Sequence, residues 1–157
     1  MKMNKTQKLT ILSFIIALSI VLGNFFKIPT VAGFVTLLDA GIFFTAFYFG
    51  KNEGAVVGAL SGFLIDLIAG YPQWMLFSLV IHGLQGYFAG LNGKWRPIGL
   101  LLSTIIMVGG YALASIVLEG TGAIVASILP NFAQNTVGII FGFVLYKAFS
   151  RLPKIVS

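Results

Sequence analysis

The sequence predicts an all-α integral membrane protein, a bundle of six transmembrane helices with both termini in the cytoplasm. Hydrophobic residues make up 58% of the 157 residues and charged residues only 9%, whereas a soluble domain carries about 25% charged residues. Six apolar runs each come close to the roughly 20 residues that a helix needs to cross a bilayer. The runs are residues 9–26, 34–49, 54–70, 74–91, 97–118 and 123–146.

The distribution of charge predicts the orientation of these runs. Nine of the ten basic residues fall on one side of the predicted membrane. Only Lys27 falls on the other side, and Asp39, Asp66 and Glu119 lie towards it. Short loops rich in Lys and Arg are retained in the cytoplasm, so both termini are predicted to lie inside. The nine residues are Lys2, Lys5, Lys8, Lys51, Lys94, Arg96, Lys147, Arg151 and Lys154.

A short chain with more basic than acidic residues is typical of a multi-pass protein of a bacterial inner membrane. The net charge of +6 comes from the loops predicted to be cytoplasmic, where it favours contact with the anionic lipids of the bilayer. The charge therefore indicates orientation, and no nucleic-acid partner is expected.

The connections between the runs are short and rich in residues that break helices. The first run follows MKMNKTQK, which is also typical of a signal peptide, but no small-x-small cleavage site follows it. Since there is no linker, low-complexity segment or convincing internal repeat, residues 1–157 are predicted to form a single membrane domain. The connections are residues 24–33, 70–73 and 119–122 outside, and residues 50–53 and 92–97 inside.

Glycines recur at intervals of four in two of the runs. Gly54, Gly58 and Gly62 lie along the third run, and Gly138 and Gly142 lie in the sixth. Small residues at this spacing let helix backbones approach closely inside a membrane. The stripes are predicted to pack the bundle internally, and docking against another membrane subunit is the alternative.

Polar side chains cluster in the outer half of the predicted bundle. In the fourth run, Trp74, Ser78, His82 and Gln85 share one helical face. Polar groups at this depth must be paired or must line a wet cavity. We therefore expect a cup that is open to the outside and binds a small polar ring compound. The candidate binding residues are Asn24, Asp39, Tyr71, Trp74, Ser78, His82, Gln85, Tyr111, Glu119, Asn131, Gln134 and Asn135.

Several of these residues also have a purely structural interpretation. His82 and Gln85 have the chemistry to hold neighbouring helices together without touching a ligand. Asp66 follows the glycine stripe, so it is predicted to pair within the bundle. Glu119 and Asp39, near helix ends, are equally compatible with solvated or capping roles.

The sequence lacks the motifs of several catalytic classes. It has no G-x-x-x-x-G-K-[ST] loop for ATP and no G-x-S-x-G nucleophile elbow. One histidine and no cysteine argue against a zinc site. The chain is therefore predicted not to be an enzyme, and no metal or other cofactor is expected.

The polar stretches resemble a known family of membrane proteins. The segments GYPQWML (70–76), HGLQG (82–86) and LPNFAQN (129–135) are similar to the substrate-binding S component of energy-coupling factor (ECF) transporters. The similarity is to the branch associated with hydroxymethylpyrimidine and pyridoxine, and it extends over essentially the whole chain.

The resemblance implies a high-affinity binding subunit for a vitamin or vitamin precursor, working with a membrane-embedded T component and two ATPase subunits. In this family the first span docks to the partner through an A-x-x-x-A motif. The nearest matches here are residues 13–17 and 17–21, which imply Ser13, Ala17 and Val21 as docking residues.

The alternative function is an autonomous, proton-coupled carrier that uses Asp66, Glu119 or His82. Carriers that work alone usually show paired repeats or broken helices at the membrane midplane, and neither pattern is evident in the sequence. Uptake by the chain without ATPase partners would distinguish this carrier from a binding subunit.

Overall fold

The computed structural model describes residues 3–30 and 33–151, so the predictions for Lys2 and Lys154 lie outside the described residues. Within that part the chain forms six α-helices, one short 3-10 turn at Gly93–Trp95 and a two-stranded hairpin. The helices are α1 (Lys5–Phe25), α2 (Leu38–Phe49), α3 (Lys51–Ala69), α4 (Met75–Ala89), α5 (Arg96–Glu119) and α6 (Ala123–Phe149).

A short hairpin accompanies the predicted all-α fold and corrects the start of the predicted second run. Strands β1 (Ile28–Thr30) and β2 (Gly33–Val35) are antiparallel, with Pro29 opposite Phe34. Residues 34–37 were predicted to be helical on apolar character alone, but Phe34 and Val35 suit a strand equally well. The helix begins only at Leu38, whose backbone N–H donates to Thr36 Oγ1 over 3.1 Å.

The first helix begins earlier than the apolar run because it has a polar cap. Asn4 Oδ1 accepts from the backbone N–H of Gln7 over 2.8 Å, and Gln7 Oε1 accepts from the N–H of Asn4 over 3.0 Å. This reciprocal capping box satisfies two of the amide groups left free at a helix start. The helix therefore extends back to Lys5, beyond the predicted boundary at residue 9.

Four of the described helical segments have the length and hydropathy of a membrane crossing. They are α1, α3, the 3-10 turn continued by α5, and α6. Helices α2 and α4 are apolar but have only 12 and 15 residues, or roughly 18 and 22 Å at 1.5 Å per residue. The membrane character of the fold agrees with the sequence, whereas six complete crossings remain a prediction.

The glycine stripes pack internal helix pairs, as predicted. A methyl group at Gly58 would overlap the carbonyl oxygen of His82, and one at Gly86 would overlap the carbonyl oxygen of Gly54. Helices α3 and α4 are therefore in backbone contact. Gly138 and Gly142 play the same part between α6 and α2, since a Cβ at either would collide with α2 side chains.

Helix α2 supplies the centre of the bundle. Its Ile42, Phe43 and Ala46 are fully buried, and the helix contacts α1, α3, α4 and α6. Because one short helix is enclosed by four neighbours, it is apolar on nearly all faces. A fully apolar helix is expected where every side is covered.

The basic residues gather at one end of the bundle, which we call the basic end. Lys8 of α1 forms an ion pair with Glu53 of α3. The Arg96 guanidinium lies 5.6 Å from the Phe47 ring and 5.7 Å from the Tyr146 ring. These contacts bring together the start of α1, α3 and α5 and the end of α2 and α6.

Candidate functional site

A cavity of about 50 Å³ opens at the end of the bundle opposite the basic end. It lies beside the hairpin. The C-terminal ends of α3 and α5 meet the N-terminal ends of α2, α4 and α6 there. Its wall combines aromatic, aliphatic and polar side chains. The lining residues are Phe34, Thr36, Leu38, Ile65, Asp66, Tyr71, Trp74, His82, Tyr111, Ser115, Ala126, Ser127, Pro130, Asn131 and Gln134.

Two aromatic pairs form much of the wall. The ring centroids of Trp74 and Tyr111 are 5.9 Å apart, and those of Phe34 and Tyr71 are 5.4 Å apart. Neither pair leaves room for a ring between its members, because stacked rings need about 3.5 Å on each side. A planar ligand would therefore stack on the exposed face of a pair.

Below the aromatic wall, a chain of hydrogen bonds links α4 with α5. The Oγ of Ser78 and the Oη of Tyr111 are 2.6 Å apart, and Tyr111 Oη is 3.0 Å from His82 Nε2. His82 Nδ1 is 2.8 Å from Gln85 Oε1. Since an amide oxygen only accepts, His82 Nδ1 is the donor in this bond.

The chain continues into a buried network that joins four helices. Gln85 Nε2 donates to Asp39 Oδ2 over 3.0 Å and to Asn135 Oδ1 over 2.9 Å. Asn135 Nδ2 in turn donates to Thr104 Oγ1 over 2.8 Å. Asp39, Gln85 and Asn135 are each fully buried. The network therefore forms the floor beneath the cavity and fixes the relative positions of α2, α4, α5 and α6.

Gln134 connects this floor to the hairpin side of the cavity. Its Oε1 accepts from the backbone N–H of Thr36 over 2.8 Å, and its Nε2 donates to Asp39 Oδ1 over 3.1 Å. One side chain thus positions the segment that follows β2 and helps to satisfy the buried Asp39 carboxyl group.

Helix α6 carries a proline where it borders the cavity. Pro130 lies inside the helix, and it has no N–H to donate to the carbonyl four residues earlier, that of Ala126. Both residues line the cavity. Asn131 Nδ2 donates to the carbonyl of Ser127 over 2.8 Å, so a local polar patch accompanies the break in the helical hydrogen bonds.

Asp66 differs from the other polar residues of the wall. It is 6% exposed, and its Oδ2 is buried without a hydrogen-bond partner in the described part of the chain. The pairing within the bundle that the sequence predicted is therefore absent at this oxygen. The sequence did not place Asp66 in the cavity wall, because the residue follows the glycine stripe of α3. A charged residue at this depth was nevertheless a signal of a functional site.

The structure places the twelve predicted binding residues in three groups. One group lines the cavity, the second builds the floor beneath it, and the third lies on the exposed surface away from the lining. The lining group contains Tyr71, Trp74, His82, Tyr111, Asn131 and Gln134. The floor group contains Asp39, Ser78, Gln85 and Asn135. The exposed group contains Asn24 and Glu119.

Other residues follow from the structure alone. Phe34 and Thr36 reach the wall through the hairpin, while Ser115 and Ser127 reach it from α5 and α6. Across the described residues, no three His, Cys, Asp or Glu side chains are grouped as metal ligands. The residues predicted for docking, Ser13, Ala17 and Val21, are all exposed on α1.

Comparisons with known proteins agree on the family. A family model described as the S component of ECF-type riboflavin transporters matches residues 3–151. The thiamine precursor transporter HmpT of Lactococcus lactis is 43% identical over 149 residues, covering 93% of this chain and 87% of that protein. An uncharacterised protein of Pyrococcus woesei is 36% identical over 121 residues, covering 73% of this chain and 81% of that protein.

A solved structure supports the same fold. The S component of a bacterial ECF transporter superposes with a TM-score of 0.74 at 22% identity, covering 94% of this chain and 98% of that one. The family model and the HmpT relative each span nearly the whole chain. This protein therefore belongs to the S components of ECF transporters, a family of membrane transport subunits rather than enzymes.

Proposed function

We propose that this chain is the high-affinity binding subunit for hydroxymethylpyrimidine, a thiamine precursor, in an ATP-driven ECF importer. The observation that carries the proposal is a small cavity with an aromatic wall and a polar floor. Aromatic faces with a few well-placed polar groups are the usual recognition surface for a small heterocycle. The relative named as a thiamine precursor transporter shares 43% of its residues over the matched region.

The cavity size favours a single-ring substrate over a larger vitamin. A water molecule needs about 10–15 Å³ of such volume, so about 50 Å³ corresponds to roughly four waters. The space is therefore small, and a single-ring compound needs less further opening of it than a larger vitamin does. The three fused rings and polyol chain of riboflavin, the vitamin in the description of the family model, exceed it. Pyridoxine is close to hydroxymethylpyrimidine in size, so cavity volume does not distinguish the two compounds and a binding measurement is needed.

The transport cycle would depend on partners that supply energy. The chain has no phosphate-binding loop for ATP, and we propose a T component with two ATPase subunits, as the family implies. In this arrangement the chain captures its substrate from outside a bacterial cell membrane. The partners then drive release to the inside.

Purified full-length protein in detergent tests this function. Isothermal titration with hydroxymethylpyrimidine should show tight 1:1 binding, with much weaker binding of pyridoxine and riboflavin. Liposomes containing only this chain should not accumulate the ligand, whereas liposomes with the complete complex and ATP should. Absence of hydroxymethylpyrimidine binding would refute the substrate, and uptake by the chain alone would favour the autonomous carrier.

We predict that the basic end faces the cytoplasm and the cavity faces outward. The basis is the charge distribution, with Lys27 as the one basic residue at the cavity end within the described part. The chain has no native cysteine, so Lys94→Cys and Tyr71→Cys can be labelled singly. A membrane-impermeant maleimide should reach position 71 but not position 94 in intact cells, and the reverse pattern would overturn the topology.

We further predict that the exposed face of α1 docks to the T component. Ser13, Ala17 and Val21 recur at intervals of four and are exposed. Because Ser13 and Ala17 are small, a partner helix could approach closely over this face. Ala17→Trp should leave hydroxymethylpyrimidine binding by the isolated chain unchanged but should abolish ATP-driven uptake.

A matched substitution controls for bulk in the membrane. Leu101→Trp adds a similar side chain at an exposed position of α5, outside the proposed docking face on α1. This control should support normal uptake in the complete complex. Normal uptake by Ala17→Trp would remove Ala17 from the docking face.

A further inference from the structure

Among the described residues, Asp66 provides an unused acceptor in the wall of the cavity. Three buried side-chain atoms lack hydrogen-bond partners in this part of the chain: Ser61 Oγ, Asp66 Oδ2 and Arg96 Nε. Of these three residues, only Asp66 lines the cavity. Buried polar groups are nearly always paired, so an unpaired one at a binding site requires an explanation.

The neighbouring polar groups already have partners within the protein. Tyr111 Oη lies between Ser78 and His82, and both ends of the Gln134 amide are used by Thr36 and Asp39. An oxygen of an ionised carboxylate can only accept hydrogen bonds. A donor on a ligand in the cavity can therefore supply the missing partner of Asp66 Oδ2, since Asp66 lines that cavity.

We propose that Asp66 is the residue that determines specificity for an exocyclic amine on a planar heterocycle. This inference rests on the proposed function, because an aminopyrimidine is the ligand class that it specifies further. The ring stacks on the aromatic wall formed by Trp74 and Tyr111, and the amine donates to Asp66 Oδ2. The same position rejects a ring that presents a carbonyl oxygen there, because two acceptors would face each other.

The proposal makes a reciprocal prediction about ligand and protein. Asp66→Asn has nearly the same shape, but its amide can present an N–H donor in place of an acceptor. The variant should therefore lose affinity for the amine ligand and gain affinity for the analogue in which a carbonyl oxygen replaces the amine. A hydrogen bond involving a charged group is worth about 10- to 150-fold in affinity, and the loss should fall in that range.

Isothermal titration of four protein–ligand pairs tests this exchange. Wild type and Asp66→Asn are each titrated with hydroxymethylpyrimidine and with its carbonyl analogue, in detergent, with the full-length chain. Wild type should prefer the amine, and the variant should reverse or abolish that preference. Glu53→Gln removes the same charge at the basic end, where Glu53 pairs with Lys8, and should keep the wild-type preference.

The possible results separate the inference from the proposed function. If wild type binds neither ligand, the proposed function fails. If wild type binds the amine and the carbonyl analogue equally, the role of Asp66 is refuted while the function stands. This comparison needs no variant, so it can refute the role of Asp66 even if Asp66→Asn fails to fold. Unchanged ligand preference in a folded Asp66→Asn variant would also refute the role of Asp66.

Discussion

Gly58→Ala should strongly destabilise the bundle, although it adds only one methyl group. The new Cβ would overlap the backbone carbonyl oxygen of His82, and a backbone atom cannot move aside as a flexible side chain can. Forced overpacking typically costs about 1–3 kcal/mol and sometimes more. Here the clash lies at the centre of the α3–α4 contact, so we expect a cost at the upper end of that range or beyond it.

Gly109→Ala is the matched control. A methyl group at Gly109 has no heavy atom within 4 Å, and alanine favours helix over glycine by roughly 0.5–1 kcal/mol. The control should therefore be neutral or slightly stabilising. Thermal unfolding in detergent, monitored by size-exclusion chromatography, should show a large drop in melting temperature for the substitution at position 58 only. Equal melting temperatures for the two variants would disprove the close contact of α3 with α4.

Gly58→Ala should also reduce substrate binding by any molecules that remain folded. Separation of α3 from α4 would move His82 relative to Asp66, and both residues line the cavity. A stability defect with wild-type affinity would mean that the cavity tolerates displacement of these helices.

Asp39→Ala should destabilise the protein by several kcal/mol. The Asp39 carboxyl group accepts from Gln85 and Gln134, and it is fully buried. Its removal leaves an amide donor of each glutamine without a partner, and each such buried group costs about 1–3 kcal/mol. Loss of the Gln134 contact should also loosen the segment around Thr36, which borders the cavity.

An exposed carboxylate provides the comparison for Asp39. Glu119→Ala changes the same kind of group at a solvent-exposed helix end, where substitutions usually alter stability by less than about 0.5 kcal/mol. Asp39→Ala should lower the melting temperature far more than Glu119→Ala does. If the two variants melt together, the buried network contributes little to stability, and the cavity floor must be held by apolar packing.

Local sequence patterns predicted much of the helical framework. The interval of four between Gly54, Gly58 and Gly62 indicated a packing face, and the structure places that face against α4. The fourth run similarly placed Trp74, Ser78 and His82 on one face, since spacing along a helix determines which residues share a side. These inferences need only the geometry of one helix. The boundaries at Lys5 and Leu38 depended instead on the capping box and the hairpin.

Composition, charge and helical periodicity by themselves thus determined the membrane class, the helical framework and the level at which polar residues gather. The tertiary structure decided which of those residues reach the cavity. Gln134 lines it while the adjacent Asn135 bonds with Gln85 and Thr104 beneath it, because the rotation of α6 is set by its packing on α2. The missing hydrogen-bond partner of Asp66 Oδ2 likewise became visible only in the folded chain, because it depends on every helix around that residue.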